Sequence, residues 1–429
     1  MPLLYMKSIS KRLVLDSFSG VTSGALRLET AAGEIITLGQ WSPANPSPKI
    51  TIHDDRFWAR VVFFGDIGFA ESYMLHEISS ADLTAVFEFF VRNSMVTNRT
   101  TLAGLLPWLF NSLVRPVWGN ITNDIETARL NAERHYSQSN EVICAFLSPD
   151  LTYSAPMWLP KLDPHSQTET LEDAQLRKLE YALRQTRVQA SDHVLEIGTG
   201  WGSFAILAAR TTGCRVTTVT LSDEQKLLAE ERIRTAGLSD RVEVLKADYR
   251  ELHGRGPLDK IVSIEIIEHV GQDFLRTFFE CMDRYLKAHG GIGYFQCITI
   301  PETRYRQYCR REDFIQRYIF PGGHLPTVSG LVAGIDRGSR GRLIVEEVKS
   351  VGAHYPRALR TWKESFQANF ELKIAPALRT RSTVAEMDLI RRQWEYYFSY
   401  CEAGFKTKSL GNVAITVGRE NCMAFLEDP

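Results

Sequence analysis

Residues 194–202 carry the clearest chemical signature in the chain. They read Val-Leu-Glu-Ile-Gly-Thr-Gly-Trp-Gly, an apolar run followed by alternating glycines, and a helical pattern begins at Phe204. A strand, a glycine turn and a helix in this order bring bare backbone up to a ligand at the carboxyl edge of a parallel sheet. We therefore predict a ligand-binding turn here. The alternative is an ordinary glycine-rich turn without a ligand.

The ligand that this turn favours is S-adenosylmethionine (SAM) rather than a nicotinamide dinucleotide. The glycine spacing is G-x-G-x-G, whereas dinucleotide folds have G-x-G-x-x-G. The strand expected at 215–220 also ends without the acidic residue that would hold an NAD ribose. Asp223 and Glu224 come slightly late, and Gln225 offers an amide instead.

The elements that must position this turn follow a βαβα pattern from about residue 170 to 300. Parallel strands joined by right-handed crossovers place the ligand-facing loops at one edge of a doubly wound sheet. The expected strands are 194–197, 215–220, 242–246, 260–265 and 291–298, followed later by helices at 358–370 and 382–400 and a final strand at 413–417.

The first hundred residues predict a separate α+β unit. Residues from about 13 to 75 alternate in the manner of strands, for example at 25–30, and residues 79–83 resemble the start of a helix. Residues 102–115 are rich in Leu, Trp and Phe. They predict either a connector buried between domains or a segment that lies on a membrane surface. The expected division is 1–100, a linker or helix at 101–130, and 131–429.

Composition narrows the class of protein. A chain of 429 residues with a formal net charge of −1 does not suit a nucleic-acid binder that relies on bulk positive charge. The seven scattered cysteines form no C-x-x-C pair, which fits a reducing compartment and offers no metal framework. Without a signal-peptide pattern or a long uncharged apolar run, we expect a cytoplasmic protein.

Several motifs together resemble the cyclopropane-fatty-acyl-phospholipid synthases, the mycolic acid cyclopropane synthases and related lipid C-methyltransferases. The resemblance runs over nearly the whole chain and in the family's order. Its most specific parts are Glu268-His269-Val270-Gly271 and the Tyr-Ile-Phe-Pro-Gly-Gly segment at 318–323. The other matching segments are 65–74, 135–136, 152–154, 198–202, 219–225, 248–250, 313–315 and 401–405.

The resemblance implies a class I SAM-dependent methyltransferase with a Rossmann-like doubly wound sheet and an N-terminal α+β domain that binds lipid. It also implies where the cofactor binds. The residues concerned are Tyr153, Ser154, Glu196, Gly198, Thr199, Gly200, Gly202, Thr220, Leu221, Gln225, Asp248, Tyr249 and Arg250.

The implied chemistry is methyl transfer to an alkene, which needs a base to remove a proton afterwards. In the enzymes that the chain resembles, a bound bicarbonate ion is that base. The residues that would hold it here are Ala155, Glu268, Gln296, Ile298 and Tyr355. For Glu268 the alternative is a helix cap, and for Tyr355 it is a packing aromatic.

Two positions depart from the family pattern. Ala155 stands where the family usually has cysteine, and Gln296 stands where bacterial relatives have histidine. Neither side chain can titrate, although both positions keep a hydrogen-bond donor. Cys401 matches a cysteine often described as catalytic, but the chemistry needs no thiolate, which favours a buried structural role.

Three functions follow as hypotheses. The first is cyclopropane formation on an unsaturated phospholipid by a peripheral membrane enzyme, with a homodimer left open. The second is lipid C-methylation that gives a methyl- or methylene-branched chain. The third is a catalytically inactive lipid-binding protein. An arginine-rich stretch could hold a lipid phosphate or form a solvated, ion-paired helix face; its arginines are Arg304, Arg306, Arg310, Arg311 and Arg317.

Overall fold

The computed structural model describes residues 2–40, 47–94, 140–252, 254–379, 382–420 and 422–426. The chain divides into two compact units. Unit 1 takes the described parts of Met1–Ala145, Arg311–Pro321 and Trp362–Ser409. Unit 2 takes the described parts of Phe146–Arg310, Gly322–Thr361 and Leu410–Pro429. Three segments of the region expected as one domain at 131–429 therefore belong to unit 1, namely 140–145, 311–321 and the described part of 362–409.

The strands among the described residues are β1 (Ala25–Thr30), β2 (Ile35–Gly39), β3 (Lys49–Ile52), β4 (Ile78–Ser79), β5 (His193–Ile197), β6 (Arg215–Thr220), β7 (Val242–Lys246), β8 (Lys260–Ile264), β9 (Ile292–Thr299), β10 (Leu343–Ser350) and β11 (Gly411–Arg419).

The α-helices in the same ranges are α1 (Pro2–Ser17), α2 (Arg56–Met74), α3 (Leu83–Arg92), α4 (Asn140–Phe146), α5 (Leu171–Thr186), α6 (Ser203–Thr212), α7 (Asp223–Thr235), α8 (Leu275–Tyr285), α9 (Glu302–Tyr308), α10 (Val328–Ser339), α11 (Tyr355–Asn369), α12 (Ala375–Leu378) and α13 (Val384–Lys406). Short 3-10 turns lie at Pro164–Gln167, Tyr249–Glu251, Ile267–His269, Gln272–Phe274, Gly352–His354 and Met423–Phe425, and π-helical turns at Ile315–Ile319 and Phe370–Ile374.

Unit 2 contains a seven-stranded sheet in the order β10-β11-β9-β8-β5-β6-β7. Strands β5 to β9 pair in parallel, and β11 pairs antiparallel with both β9 and β10. The chain leaves β5 toward β6 and β7 on one side, and β8 returns on the other side. This reversal of strand order creates a crevice at the carboxyl end of β5, where open α/β sheets bind ligands.

Both faces of this sheet are covered, as a doubly wound fold requires. Val194 and Leu195 are adjacent on β5 and fully buried, but they belong to different hydrophobic cores. One core includes Phe278 of α8 and Leu331 of α10. The other includes residues of α5, α6 and α7, such as Phe204. Residues on both sides of a strand are apolar because neither face meets water.

Unit 1 contains a four-stranded sheet in the order β2-β1-β3-β4 and the helices α1, α2, α3 and α13. The expected start of α3 is confirmed, since the Asp82 carboxylate accepts a hydrogen bond from the Ala85 amide at 2.9 Å. A buried ion pair joins α2 to the segment before β4, because Arg60 donates two hydrogen bonds to Glu77 at 3.0 and 2.7 Å.

The strand interpretation of residues 13–75 is wrong for a large part of that range, because Arg56–Met74 is the helix α2. The run at 61–64 has the β-branched and aromatic residue types that favour strands. Gly65 also interrupts the helix with φ 56° and ψ −128°, so the helical periodicity does not continue across it. Packing of the buried residues on both sides of the kink overrides the local preference.

The expected strands at 25–30, 215–220 and 242–246 are confirmed to the residue, and strand β10 was not predicted. The expected linker at 101–130 and the motif at 135–136 lie outside the described residues. Within the described part of the chain, no helix has both the length and the apolar character to cross a bilayer.

Candidate active site

The glycine turn after β5 has the backbone that the sequence predicts. Gly198, Gly200 and Gly202 have φ values of 99°, 50° and 86°, a region that other residues rarely adopt. A Cβ at Gly198 would lie 2.3 Å from the Ile266 side chain, so this glycine is required by packing. A Cβ at Gly200 would meet nothing within 4 Å, so bare backbone faces open space there. The turn therefore has room for a ligand.

Several other predicted cofactor residues lie at or just after the carboxyl ends of β6 and β7. Thr220, at the end of β6, donates a hydrogen bond from its hydroxyl to Gln225 Oε1 at 2.8 Å. The side chain of Leu221 is 70% exposed, although leucine is apolar. After β7, Asp248 accepts two side-chain hydrogen bonds from Arg250 at 2.9 and 2.6 Å. The exposed apolar side chain of Leu221 and the open space at Gly200 suit the adenosine part of SAM.

Glu196 is buried directly before the glycine turn. One oxygen of its carboxylate has no hydrogen-bond partner within the described part of the chain. Burial raises its pKa to about 8, while a hydrogen bond from Thr218 and the charge of Lys178 act in the opposite direction. A buried acceptor without a donor costs free energy, and a bound ligand with hydroxyl or ammonium groups would relieve that cost. The residues present therefore fit SAM.

Lys178 is a residue that the sequence reasoning missed. It lies on α5, is fully buried, and donates to the Ser154 hydroxyl at 2.7 Å. Gln175, one turn earlier, donates to the Ser154 carbonyl at 2.8 Å. Burial lowers the pKa of Lys178 to about 8, opposed by the charges of Glu265, Asp150 and Glu196. Two polar residues at helical spacing on an otherwise apolar helix face were the available signal.

Glu265 forms the centre of the site, and the sequence reasoning missed it as well. Four donors converge on its carboxylate. They are the Ala155 amide at 2.9 Å, Gln296 Nε2 at 2.9 Å, Tyr355 Oη at 2.6 Å and Asn412 Nδ2 at 2.6 Å. The four donor residues are at least 95% buried. An ionised carboxylate is an acceptor only, so four donors suit that form.

Three residues predicted to bind bicarbonate have a different partner in the structure. Ala155, Gln296 and Tyr355 were expected to hold a bicarbonate ion, but in the structure each of them binds the Glu265 carboxylate. The two departures from the family pattern, Ala155 and Gln296, therefore keep their donor function toward a side chain. The signal for Glu265 was an acidic residue directly after a buried parallel strand, at the ligand-facing edge.

Glu268 lies nearby and has a different environment. Its Oε1 accepts a hydrogen bond from the Ile298 amide at 2.5 Å, and its backbone carbonyl accepts one from the His324 amide at 2.8 Å. Its Oε2 is buried and unpaired among the described residues. Burial and the charge of Glu265 raise its pKa to about 8. Because Glu268 bonds to β9, the helix-cap alternative does not describe it.

Cys401 belongs to unit 1, where it lies on α13. It is 8% exposed, and burial raises the pKa of its thiol. A buried thiol with a raised pKa is a poor nucleophile, which agrees with the structural role expected for it. Within the arginine-rich stretch, Arg317 lies 3.8 Å from the Glu312 carboxylate.

The doubly wound sheet, the open glycine turn and the polar groups at the ends of β5, β6 and β7 define a class I SAM-dependent methyltransferase. Solved structures agree with this fold. A mycolic acid cyclopropane synthase in complex with SAH matches with a TM-score of 0.55 and 25% identity, covering 67% of this chain and 97% of that chain. A coclaurine N-methyltransferase matches with a TM-score of 0.60 at 19% identity, covering 82% of this chain and 99% of that chain.

Sequence comparison then identifies the family. The family model of mycolic acid cyclopropane synthetase matches residues 123–415. Tuberculostearic acid methyltransferase of Mycobacterium tuberculosis is 35% identical over 87% of this chain and 84% of its own length. Cyclopropane-fatty-acyl-phospholipid synthase of Escherichia coli is 30% identical over 87% of this chain and 88% of its own length. The chain belongs to this family of SAM-dependent lipid methyltransferases.

Proposed function

We propose that this protein transfers the methyl carbon of SAM to a cis double bond in the acyl chain of an unsaturated phospholipid, and that Glu265 then removes a proton so that a cyclopropane ring closes. The observation that supports this proposal best is the group of four donors that fixes the Glu265 carboxylate at the ligand-facing edge of the sheet.

The chemistry explains why such a base is needed. SAM, when bound, supplies an electrophilic methyl group. An alkene has no proton to lose before it attacks, so the proton must leave afterwards, from a cationic chain. A fixed carboxylate both stabilises positive charge and accepts that proton. Glu265 needs no ion from solution, because the donors that would hold bicarbonate already hold its side chain.

The second candidate function is C-methylation that leaves a methylene branch, which a separate reductant would convert to a methyl branch. The identity of 35% to a tuberculostearic acid methyltransferase favours it. Both products lose a proton from the transferred carbon, so the same base serves both. Ozonolysis of the isolated fatty acids separates the two, since it cleaves an exocyclic methylene and leaves a cyclopropane intact.

We also propose that the first α+β unit binds lipid and that the protein works in the cytoplasm at a membrane surface, where its substrate is found. Flotation with phospholipid vesicles tests this directly. A protein that binds vesicles but gives no heat change with SAM in calorimetry would instead be the inactive lipid-binding protein.

The central experiment replaces Glu265 with glutamine. Purified protein is incubated with SAM and vesicles of an unsaturated phospholipid, and the fatty acids are then analysed. We expect the Glu265→Gln variant to bind SAM normally and to lose at least about 100-fold in turnover, because it cannot accept a proton. The matched control is Glu347→Gln, whose carboxylate accepts a hydrogen bond from Tyr181 at 2.9 Å.

A rescue experiment sharpens the test. Glu265 has a φ of 54°, so Glu265→Gly fits the backbone while it removes the carboxylate. The four donors would then surround an empty space for an anion, and added bicarbonate should restore activity to this variant only. Normal turnover of Glu265→Gln without bicarbonate would remove Glu265 from the mechanism.

A further inference from the structure

If Glu265 is the base of the proposed function, it must lose the proton that it accepts before it can act again. A bicarbonate ion can leave with its proton and be replaced. A side chain fixed by four hydrogen bonds cannot leave, so its proton must pass to another group before the next turnover.

Glu268 is the group placed to receive it. Both carboxylates contact the same short stretch of β9, since Gln296 donates to Glu265 at 2.9 Å and the Ile298 amide donates to Glu268 at 2.5 Å. Two residues along a strand cover about 7 Å. The two carboxyl groups therefore bond to the same short stretch of β9, and the charge of Glu265 acts on Glu268.

The hydrogen bonds of Glu268 leave one oxygen available for a proton. Oε1 is occupied by the Ile298 amide, whereas Oε2 has no donor within the described ranges, although Glu268 is only 6% exposed. Two further buried acceptors have no donor in the same part of the structure, namely Gln296 Oε1 and Asn412 Oδ1. A surplus of buried acceptors costs free energy, and a proton on Glu268 converts one acceptor into a donor.

We propose that Glu268 takes the proton from Glu265 after each methyl transfer and so restores Glu265 to its ionised form. One O–H bond breaks at Glu265 and one O–H bond forms at Glu268, so the charge of the pair is unchanged and no other reactant is needed. The Glu268 carboxyl then releases the proton to solvent. Burial and the nearby charge of Glu265 raise the pKa of Glu268 to about 8, so at neutral pH Glu268 must release the proton that it holds before it takes the one from Glu265. It does so once Glu265 is protonated, because the negative charge that raises its pKa is then absent.

This role predicts a kinetic pattern that differs from that of a catalytic base. Glu268→Gln keeps the shape of the side chain and the contact with Ile298 but cannot take a proton. In rapid-quench experiments with SAM and unsaturated vesicles, we expect it to complete a first turnover at close to the wild-type rate. Later turnovers should be at least about 10-fold slower. The burst should equal one product per active enzyme.

Two controls separate this proposal from its alternatives. Glu265→Gln should show no burst, and Glu347→Gln should match the wild type in both phases. In deuterium oxide the slow phase of Glu268→Gln should slow further by roughly two-fold, as expected for a step limited by proton transfer. A slow phase without this isotope effect would indicate slow product release and would overturn the proposal.

The remaining outcomes are equally decisive. A first turnover of Glu268→Gln that is as slow as the later ones would place Glu268 in the methyl-transfer step and reject the relay. Unchanged later turnovers would also reject it. If Glu268→Gln does not bind SAM, Glu268→Asp is used, for which the relay predicts a normal first turnover and an intermediate slow phase. Activity in Glu265→Gln would contradict the proposed function itself, whatever Glu268 does.

Discussion

Glu265 has a left-handed backbone conformation, with φ at 54°, which costs a residue other than glycine roughly 1 kcal/mol or more. The conformation ends β8 and turns the side chain toward the Tyr355 hydroxyl and the Asn412 amide group. Local strain of this kind persists only where surrounding contacts compensate for it. The four hydrogen bonds to the carboxylate supply that compensation, so the strained backbone and the fixed carboxylate form one arrangement.

The Tyr355 hydroxyl should therefore matter for turnover more than for binding of SAM. Tyr355→Phe removes the donor to Glu265 Oε2, while three donors to Oε1 remain. We expect kcat to fall by about 10-fold or more with little change in SAM affinity, because the base is held less firmly. Tyr181→Phe removes a hydroxyl outside the site and serves as the control. Equal loss in both variants would assign Tyr355 to packing, which was the alternative for this residue.

At the scale of elements, two glycines in the turn between β5 and α6 are needed for different reasons, although the sequence alone does not distinguish them. Gly198 is restricted by the Ile266 side chain, which a Cβ would approach to 2.3 Å. Gly200 meets no atom within 4 Å and is restricted only by its φ of 50°. A substitution at Gly198 therefore disturbs packing, whereas one at Gly200 acts on the space in front of the turn.

Gly200→Val tests the placement of the cofactor at this turn. A β-branched residue at positive φ is strained, and its side chain fills the open space that the turn leaves. We expect SAM affinity measured by calorimetry to fall by at least about 10-fold, while the unfolding temperature without SAM falls only by a few degrees. Gly237→Val, at another positive φ with no atom within 4 Å, controls for strain alone. Unchanged SAM affinity in Gly200→Val would contradict the placement.

At the scale of the whole molecule, stability should depend on pH through the buried carboxyl of Glu196. Its pKa is raised from 4.5 to about 8 in the folded state, so folding favours the protonated form. Stability from this group is complete below about pH 4.5 and is lost as pH rises through about 8. Glu196→Gln cannot ionise, so its advantage over the wild type should grow by roughly 2–4 kcal/mol between about pH 5 and pH 8.

Urea unfolding without SAM, at several pH values, measures this difference. Above about pH 8, Lys178 changes the stability of the wild type in the opposite direction. Its pKa is lowered from 10.5 to about 8 in the folded state, so folding favours the deprotonated side chain, and its contribution to stability increases as pH rises from about 8. Glu180→Gln, which removes an exposed carboxylate on the same helix, is the matched control. A constant difference between Glu196→Gln and the wild type at all pH values would contradict the raised pKa.

The parallel part of the sheet was predictable because its strands are fully apolar and separated by helical patterns. The expected strand at 260–265 extends one residue beyond the end of β8 at Ile264. The residue concerned is Glu265. The expected strand includes Glu265 as its last residue, whereas the structure places Glu265 just after β8, in the site. Helix α2 was missed because Gly65 interrupts its periodicity.

The partners of Glu265 could not be derived from the sequence for a different reason. Ala155, Gln296, Tyr355 and Asn412 are far apart in the chain, and only the folded sheet brings their donors to one carboxylate. The same holds for Lys178, whose partner Ser154 precedes it by 24 residues. The residue types predicted a polar site at the correct edge of the sheet. Only the folded structure shows that the anion held there is the Glu265 carboxylate.

The position of β11 has a consequence for synthesis on the ribosome. This strand is the last of the described strands in the sequence, yet it lies inside the sheet between β9 and β10. A growing chain that has not reached it exposes unpaired edges of β9 and β10, which attract other extended segments. The nascent chain also lacks Asn412, which donates to Glu265. The Glu265 carboxylate therefore acquires its full set of four donors only after β11 has been translated and has paired with β9.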